Sequence, residues 1–296
     1  MSTIIKTGML SIFLMISAYC AYSQSFTFSQ YMNNLTPINQ AYSTMENDAK
    51  INVSGRKQFI GIDASPSSFL LNGSLPLLKM GSSVGMVLQY DKIGVENHTD
   101  INVFFAKKIQ LDRATFFSVS LSGGFSNHMI NYSSLDTQDP EFSRNDVRQT
   151  LPEIGVGLMV YNNRAYIGVS VPQLSLKRGQ NFTGTYYMAA GYLAPLGEDF
   201  KIKPAALLAY AGSSDPLALD VSTTLYIKDF IGLGVSYRNK QSVSGILTLL
   251  MKKNIQLGYS YSLSTGKFAG NGLNNATQEI SIGYRFGKGI SAPRLL

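Results

Sequence analysis

Cysteine is almost absent from this sequence. The 296-residue chain has one cysteine, Cys20, and a predicted leader ending near Ser23 would remove it. A mature chain without cysteine has no disulfide, no thiolate metal ligand and no thiol nucleophile. Tyr19 stands where a lipobox needs a small residue, which disfavours lipidation of Cys20.

Residues that carry catalysis are also scarce. The two histidines, His98 and His128, lack the His-x-x-x-His spacing of a zinc site. Asp100 and Ser126 lie near them in sequence, so a Ser/His/Asp set is imaginable, but no Gly-x-Ser-x-Gly elbow frames a serine. We interpret both histidines as surface residues and expect no enzyme, no metal site and no cofactor.

Charge and long apolar runs are both limited. Charged residues make up 15% of the chain, against about 25% in soluble domains. No apolar run reaches the roughly 20 residues of a membrane-spanning helix. The net charge of +7 comes from scattered cations with no basic tract, so nucleic acid is not an expected partner.

The amino terminus has the pattern of an export signal. Lys6 precedes the apolar run Met9 to Ile16, and Ala21-Tyr22-Ser23 resembles a cleavage site. We therefore predict a signal peptide over residues 1–23.

Strict alternation is the dominant feature of the remaining chain. In residues 254–264, Ile255, Leu257 and Tyr259 share one face, whereas Gln256 and Gly258 share the other. The same period predicts strands near residues 49–58, 67–75, 82–90, 99–109, 114–124, 154–161, 164–171, 185–194, 200–210, 217–227, 230–239, 242–251, 254–264 and 277–287.

The connections between these strands alternate in length. Short ones contain Asn162-Asn163 and Lys228-Asp229, whereas longer ones include residues 59–66, 91–98, 125–153, 172–184 and 265–276. Outer-membrane barrels combine short periplasmic turns with longer external loops. We predict an all-β, transmembrane antiparallel β-barrel of about 14 strands over residues 49–287, with both termini in the periplasm.

A soluble β-sandwich or an up-and-down barrel around a small ligand is the alternative fold, because antiparallel sheets also alternate. It would have to hide about fourteen apolar faces in one core. The 17 tyrosines and 16 phenylalanines favour the membrane barrel, since aromatic residues form its interfacial girdles.

Two charged sets are candidate sites. The predicted lumen-facing cations would bias a pore toward anions, or would pair with carboxylates such as Asp220 and Glu279; they are Arg56, Arg164, Arg238 and Arg285. The loop residues Asp136, Asp139 and Glu141 offer carboxylates for calcium but lack EF-hand spacing, and we favour a solvated loop.

The segment before the first strand contains Gln30-Tyr31-Met32, Asn34, Ile38-Asn39 and Ala41-Tyr42. With these residues it resembles the PorP/SprF family of outer-membrane proteins of the Bacteroidetes type IX secretion system. The family opens with Q-Y-M-x-N-P-L-x-I-N-P-A-Y-A-G. The matching residues, which we predict to bind a partner or to plug the barrel, are Gln30, Tyr31, Met32, Asn34, Ile38, Asn39, Ala41 and Tyr42. Leu35 and Gln40 replace usual prolines.

Later blocks match the family in order. Residues 56–66 are similar to R-x-Q-W-x-G-x-x-G-x-P, with Phe59 in place of tryptophan, and residues 91–94, 155–157, 168–173 and 279–286 also resemble family blocks. Together they span Gln30 to Phe286.

The resemblance implies a role in protein export. Family members support secretion or surface attachment of large adhesins through their C-terminal domains, gliding motility in some hosts, and association with periplasmic and lipoprotein components. An outer-membrane porin or a channel for small or hydrophobic molecules is the alternative function. The predicted order along the chain is a signal peptide (1–23), an N-terminal segment in or under the barrel (24–48), the barrel (49–287) and a C-terminal tail (288–296).

Overall fold

The chain folds as a closed, all-β barrel of fourteen antiparallel strands, as the sequence predicted. This is a computed structural model that describes residues 28–62, 64–134, 146–175, 183–212, 217–239, 241–251, 254–265 and 275–287. The predicted leader, the carboxyl-terminal tail and the loop residues Asp136, Asp139 and Glu141 lie outside them. None of the helices in these ranges has the length and apolar character needed to cross a membrane.

Thirteen strands are continuous and one is interrupted. The continuous strands are β1 (Ala49–Lys57), β2 (Ser67–Leu77), β3 (Ser82–Ile93), β4 (Glu96–Gln110), β5 (Phe116–Ile130), β6 (Val147–Tyr161), β7 (Ala165–Ser175), β9 (Phe200–Tyr210), β10 (Ala218–Ile227), β11 (Ile231–Arg238), β12 (Ser242–Met251), β13 (Ile255–Ser264) and β14 (Ala276–Phe286). Strand β8 consists of Thr183–Gly184, Tyr186–Tyr192 and Ala194–Pro195. Short 3-10 helices span Tyr31–Asn33, Gln40–Met45, Leu78–Met80 and Tyr132–Ser134.

Every strand pairs with its sequence neighbours, and the first pairs with the last. In the closing ladder, Ala49 of β1 lies opposite Phe286 of β14, and Lys57 lies opposite Gln278. Strand β8 bridges β7 and β9 through its central segment. Closure leaves no free sheet edge, as a barrel in lipid requires.

Two predicted loops are wrong in extent. Residues 91–98 form a hairpin in which β3 runs to Ile93 and β4 begins at Glu96, with Gly94 in the left-handed region (φ 57°). Likewise, β5 continues to Ile130 and β6 begins at Val147, so most of 125–153 outside the central loop is strand. At these strand ends most outward-facing side chains are polar. The apolar alternation therefore stops, although the hydrogen-bonded ladder between the strands continues.

The outer face of the barrel is apolar and the inner face is polar. Val103 and Leu121 point outward and are 62% and 63% exposed. Other exposed outward residues include Leu75, Phe105, Phe125, Val156, Val235, Tyr261 and Ile282. The buried inward positions carry small polar side chains, among them Ser118, Ser120, Ser122, Ser222, Ser236, Ser244, Ser260 and Ser262. The outward set forms a lipid-facing belt.

The end of the barrel that holds both strand termini, β1 at Ala49 and β14 at Phe286, carries compact turns. In the turn after β4, the Asp112 carboxylate accepts hydrogen bonds from the backbone N–H groups of Ala114 and Thr115, both at 2.8 Å. These bonds lower the pKa of Asp112. We call this end the terminal mouth and the opposite end the far mouth.

The lipid-facing belt predicts a depth-dependent cost for charge. Val103→Arg, in the middle of β4, is expected to lower the free energy of unfolding by about 2–4 kcal/mol, whereas Thr99→Arg costs about 0–1 kcal/mol because it lies beyond the belt. The two β-branched residues share one strand and one face. The measurement is guanidinium unfolding in phospholipid vesicles, followed by gel mobility of unheated samples. Equal costs at the two positions would contradict a belt at the level of Val103.

Candidate functional site: an occupied lumen

Residues 28–48, the lumen segment, lie inside the barrel. The segment contains the 3-10 helices Tyr31–Asn33 and Gln40–Met45, and Asn39 caps the second by accepting from the Ala41 backbone N–H at 3.1 Å. Nearly all its residues from Ser29 to Met45 are buried. The segment contains both polar and aromatic residues because its different sides contact different parts of the barrel wall.

The first part of the segment binds the wall near the middle of the lumen. The Ser29 backbone N–H donates to both carboxylate oxygens of Glu279 on β14 at 2.9 Å. The Tyr31 hydroxyl lies 3.2 Å from Ser222 Oγ on β10. Asn33 Nδ2 donates to Thr248 Oγ1 on β12 at 3.0 Å. Three well-separated strands therefore hold Ser29, Tyr31 and Asn33 of the segment.

The second part binds the opposite wall toward the terminal mouth. Asn39 Nδ2 donates to the backbone oxygen of Leu158 on β6 at 3.1 Å. Ser170 Oγ on β7 donates to the Ile38 backbone oxygen at 2.7 Å. Thr44 Oγ1 donates to Ser118 Oγ on β5 at 2.9 Å. The segment thus crosses the lumen and contacts both walls.

Lysines from the wall satisfy backbone oxygens of the segment. Lys203 Nζ donates to the Met32 oxygen at 2.9 Å, and Lys108 Nζ donates to the Thr44 oxygen at 3.1 Å. Lys203 is fully buried. Both bonds pair a wall donor with a carbonyl oxygen of the segment inside the lumen.

The segment also supplies the main apolar core of the barrel. One cluster joins its buried side chains to those of the wall, and its members include Tyr31, Met32, Leu35, Ile38, Ala41, Tyr42, Met45, Met159, Tyr161, Tyr166, Leu207, Tyr226 and Ile246. The rings of Tyr42 and Tyr166 meet edge to face, with centroids 5.9 Å apart. The core of this protein is therefore made between segment and wall.

Wall glycines make room for two amides of the segment. A Cβ atom at Gly157 would lie 2.4 Å from Asn39 Oδ1, and one at Gly168 would lie 2.8 Å from Asn39 Nδ2. A Cβ atom at Gly258 would lie 2.0 Å from Gln30 Oε1. Contacts this short would force the amides to move, so the observed positions of Asn39 and Gln30 depend on glycine at these sites.

The sequence-based choice of residues missed part of the segment. The structure buries Gln30, Tyr31, Met32, Ile38, Asn39, Ala41 and Tyr42 in the lumen, and Asn34 Nδ2 donates to Asn72 Oδ1 at 2.7 Å. The segment residues Ser29, Asn33, Leu35 and Thr44 also contact the wall but are outside the predicted set. The resemblance selected positions by match to the family pattern, and these four residues gave no separate signal.

The four predicted cations have different surroundings. Arg56 Nε lies 3.5 Å from Glu279 Oε1, and Arg238 Nη2 lies 3.0 Å from Asp220 Oδ2, so buried carboxylates neutralise both. Arg285 Nε lies 3.8 Å from Glu46 Oε2 of the lumen segment. Arg164 is not on a strand face as predicted; it is an exposed residue of the turn between β6 and β7, where Asn162 Oδ1 accepts from its backbone N–H at 2.8 Å.

The histidines lie on strands, in residue ranges that the sequence pattern assigned to connections, and both side chains are partly exposed. His98 on β4 is opposite His128 on β5. Asp100 Oδ1 and Ser126 Oγ both approach His98 Nε2, at 2.9 and 3.3 Å. A catalytic relay needs the acid and the serine on different ring nitrogens, so this set is not a triad. Within the described ranges no group of three His, Cys, Asp or Glu residues is arranged to hold a metal ion.

Adding bulk at Gly258 is expected to displace the segment. Gly258→Val would drive Gln30 from the wall, whereas Gly245→Val faces open space, with no atom within 4 Å of a Cβ there. The G258V variant should lose about 1–3 kcal/mol of stability, the usual cost of overpacking. Limited proteolysis of purified protein should also cut within residues 28–48 in G258V only. Equal protection of the segment in both variants would contradict the contact.

Comparison with known proteins identifies relatives by sequence and by fold. Residues 21–284 match the family model described as "Type IX secretion system membrane protein PorP/SprF". No curated protein matches the chain. The P. putida toluene transporter TodX is similar in structure, with TM-score 0.53 and 9% identity over 88% of this chain and 95% of that one.

Two further barrels are similar to the same degree. A Pseudomonas aeruginosa FadL homologue has TM-score 0.52 and 8% identity, covering 85% of this chain and 94% of that one. The CymD monoaromatic hydrocarbon channel has TM-score 0.51 and 10% identity, covering 88% and 94%. At such identities the likeness shows the fold alone, a membrane β-barrel.

Proposed function

The chain belongs to the family of type IX secretion system membrane proteins PorP/SprF, and we propose that it supports secretion or surface attachment of large exported proteins by binding partners. The family predicted from sequence is thereby confirmed, and family and fold together support an outer-membrane location. The proposed partners are the C-terminal domains of exported adhesins and periplasmic or lipoprotein components of the same system. Gliding motility and leader cleavage near Ser23 are further parts of the proposal.

The occupied lumen is the observation that favours a binding role over a conducting channel. Residues 28–48 occupy the space between the walls, and a cavity beside Phe28, Gln30 and Asn34 measures about 30 Å³. That is room for about one water molecule. A barrel that is filled by its own chain offers its rims and outer surface for contact, which suits a binding role.

A disulfide between the segment and the wall distinguishes partner binding from transport through the lumen, because only transport needs the segment to leave. Thr44 Oγ1 and Ser118 Oγ are 2.9 Å apart, so Thr44→Cys with Ser118→Cys would join the segment to β5 by a disulfide. Because partner binding does not need the segment to leave, we expect the oxidised double variant to display exported adhesins at the wild-type level. The measurement is surface labelling of adhesins on intact cells.

The single variant Thr44→Cys and a reducing agent are the controls. Loss of display in the oxidised double variant, restored by reduction, would show that the segment must move. That result would overturn a binding role in which the segment stays in place. Wild-type display in a strain that lacks the protein would favour the second candidate function, an outer-membrane channel for small or hydrophobic molecules.

A further inference from the structure

The cavity of about 30 Å³ lies between the lumen segment and the closing seam, which is the ladder between β1 and β14. The segment covers it with Phe28, Gln30, Tyr31, Asn33 and Asn34, and strands β13, β14, β1 and β2 form its other side. We call it the seam cavity. Its volume suits one water molecule, which needs roughly 10–15 Å³ of accessible space.

The strand register opens this space at a glycine. Gly283 of β14 lies opposite Gln256 of β13 on one side and opposite Asn52 of β1 on the other. A Cβ atom at Gly283 would lie 2.6 Å from Asn52 Oδ1 and 3.6 Å from the Cβ atom of Gln256. The two polar side chains therefore flank a position that has no side chain of its own, and all three residues line the cavity.

Three polar groups of the wall reach the seam cavity without a partner among the described residues. Gln256 Oε1 is buried and has no hydrogen-bond partner there. Asn52 and Ser54 on β1 are each 7% exposed, and neither side chain forms a hydrogen bond with another residue of the described ranges. Buried polar groups left unpaired cost free energy, so each of the three needs a partner.

Other polar side chains beside the cavity are already bonded. The amides of Asn34 and Asn72 exchange two hydrogen bonds, at 2.7 and 3.2 Å. Ser281 Oγ donates to Gln30 Oε1 at 2.8 Å. These groups tie the lumen segment to β2 and β14 directly, and they leave the unmet hydrogen bonds to β1 and β13.

The lining of the cavity selects a neutral ligand. None of the described residues that line it is charged, so a metal ion or an ammonium ion would lie there without compensation. The ligand must donate to Gln256 Oε1 and also bond an amide and a hydroxyl group. One water molecule does this, because it both donates and accepts, and a buried water typically makes about three hydrogen bonds.

We propose that the seam cavity is a binding site for one water molecule that bridges Gln256 Oε1, Asn52 and Ser54 across Gly283. The water links β13 to β1 over the last strand, and the lumen segment covers it. The site thus adds a bond across the closing seam that exists only while the segment is in place. It is independent of the proposed role in export, because it is defined by residues of this chain alone.

A crystal structure of the purified full-length protein, at a resolution that shows ordered water, tests the site directly. We expect one density peak at about 2.5–3.2 Å from Gln256 Oε1 and from the Asn52 amide or Ser54 Oγ, the range of ordinary hydrogen bonds. A peak with several oxygen atoms at about 2.3–2.6 Å would be a metal ion. That result, or the absence of a peak, would overturn the site.

Unfolding of Gln256→Leu, Ser54→Ala and the double variant in phospholipid vesicles tests the bridge. The two residues lie two strands apart, about 10 Å, and no hydrogen bond of the described ranges joins them, so coupling between them needs the water. We expect the folding equilibrium constant of the double variant to fall by about threefold less than the product of the two single losses, because distant residues without a shared partner are additive.

The control cycle replaces Ser54→Ala by Ser170→Ala, which removes a hydroxyl from the opposite wall. Its effect should be additive with that of Gln256→Leu. Additive losses in both cycles would overturn the bridge. If a variant fails to fold, as judged by gel mobility of unheated samples, the density of the wild-type protein at Gln256 decides the question.

Discussion

Every backbone N–H and C=O group inside a bilayer needs a partner within the protein. In this chain the ladder between β1 and β14 meets that need, because without it two sheet edges would face lipid. Closure also fixes the two faces of the wall. Successive residues must point alternately to lipid and to the lumen, so the apolar side chains are used outside and the lumen is left polar.

A polar lumen cannot build a conventional hydrophobic core, and the lumen segment replaces one. Its tyrosines, methionines and leucine pack against the few large side chains of the inner wall, while its backbone and amides bond to wall serines and threonines. Glu279 takes part both in barrel closure and in anchoring the lumen segment. It lies on the closing strand, pairs with Arg56 on β1, and accepts hydrogen bonds from Ser29 of the segment and Ser260 of β13. The stability of closure and of the segment are therefore coupled.

The strands were predictable because lipid imposes period two on the sequence, and the number fourteen followed from it. The ends of β4, β5 and β6 could not be predicted from the sequence. Residues there, such as Thr99 and Asn127, lie beyond the lipid and do not show the apolar alternation. At 15 residues each, these strands exceed the roughly 9–11 residues needed to span a bilayer.

The side-chain contacts of the lumen were less accessible to sequence reasoning. The sequence named Asp220 and Glu279 as candidate partners of the lumen cations, but which cation each of them pairs with follows from strand register. Arg164 was misplaced because the pattern alone did not separate the first residue of a strand from the turn before it. The sequence shows glycines at 157 and 168, but only the fold shows that Asn39 occupies the space beside them.

The central claim is that the chain fills its own lumen. Single-channel recording of purified wild-type protein in planar lipid bilayers tests it most directly, with a variant lacking residues 28–45 as the open reference. The account predicts no steady conductance from wild type and clear conductance steps from the variant. Stable, ohmic conductance from the wild-type protein would contradict it.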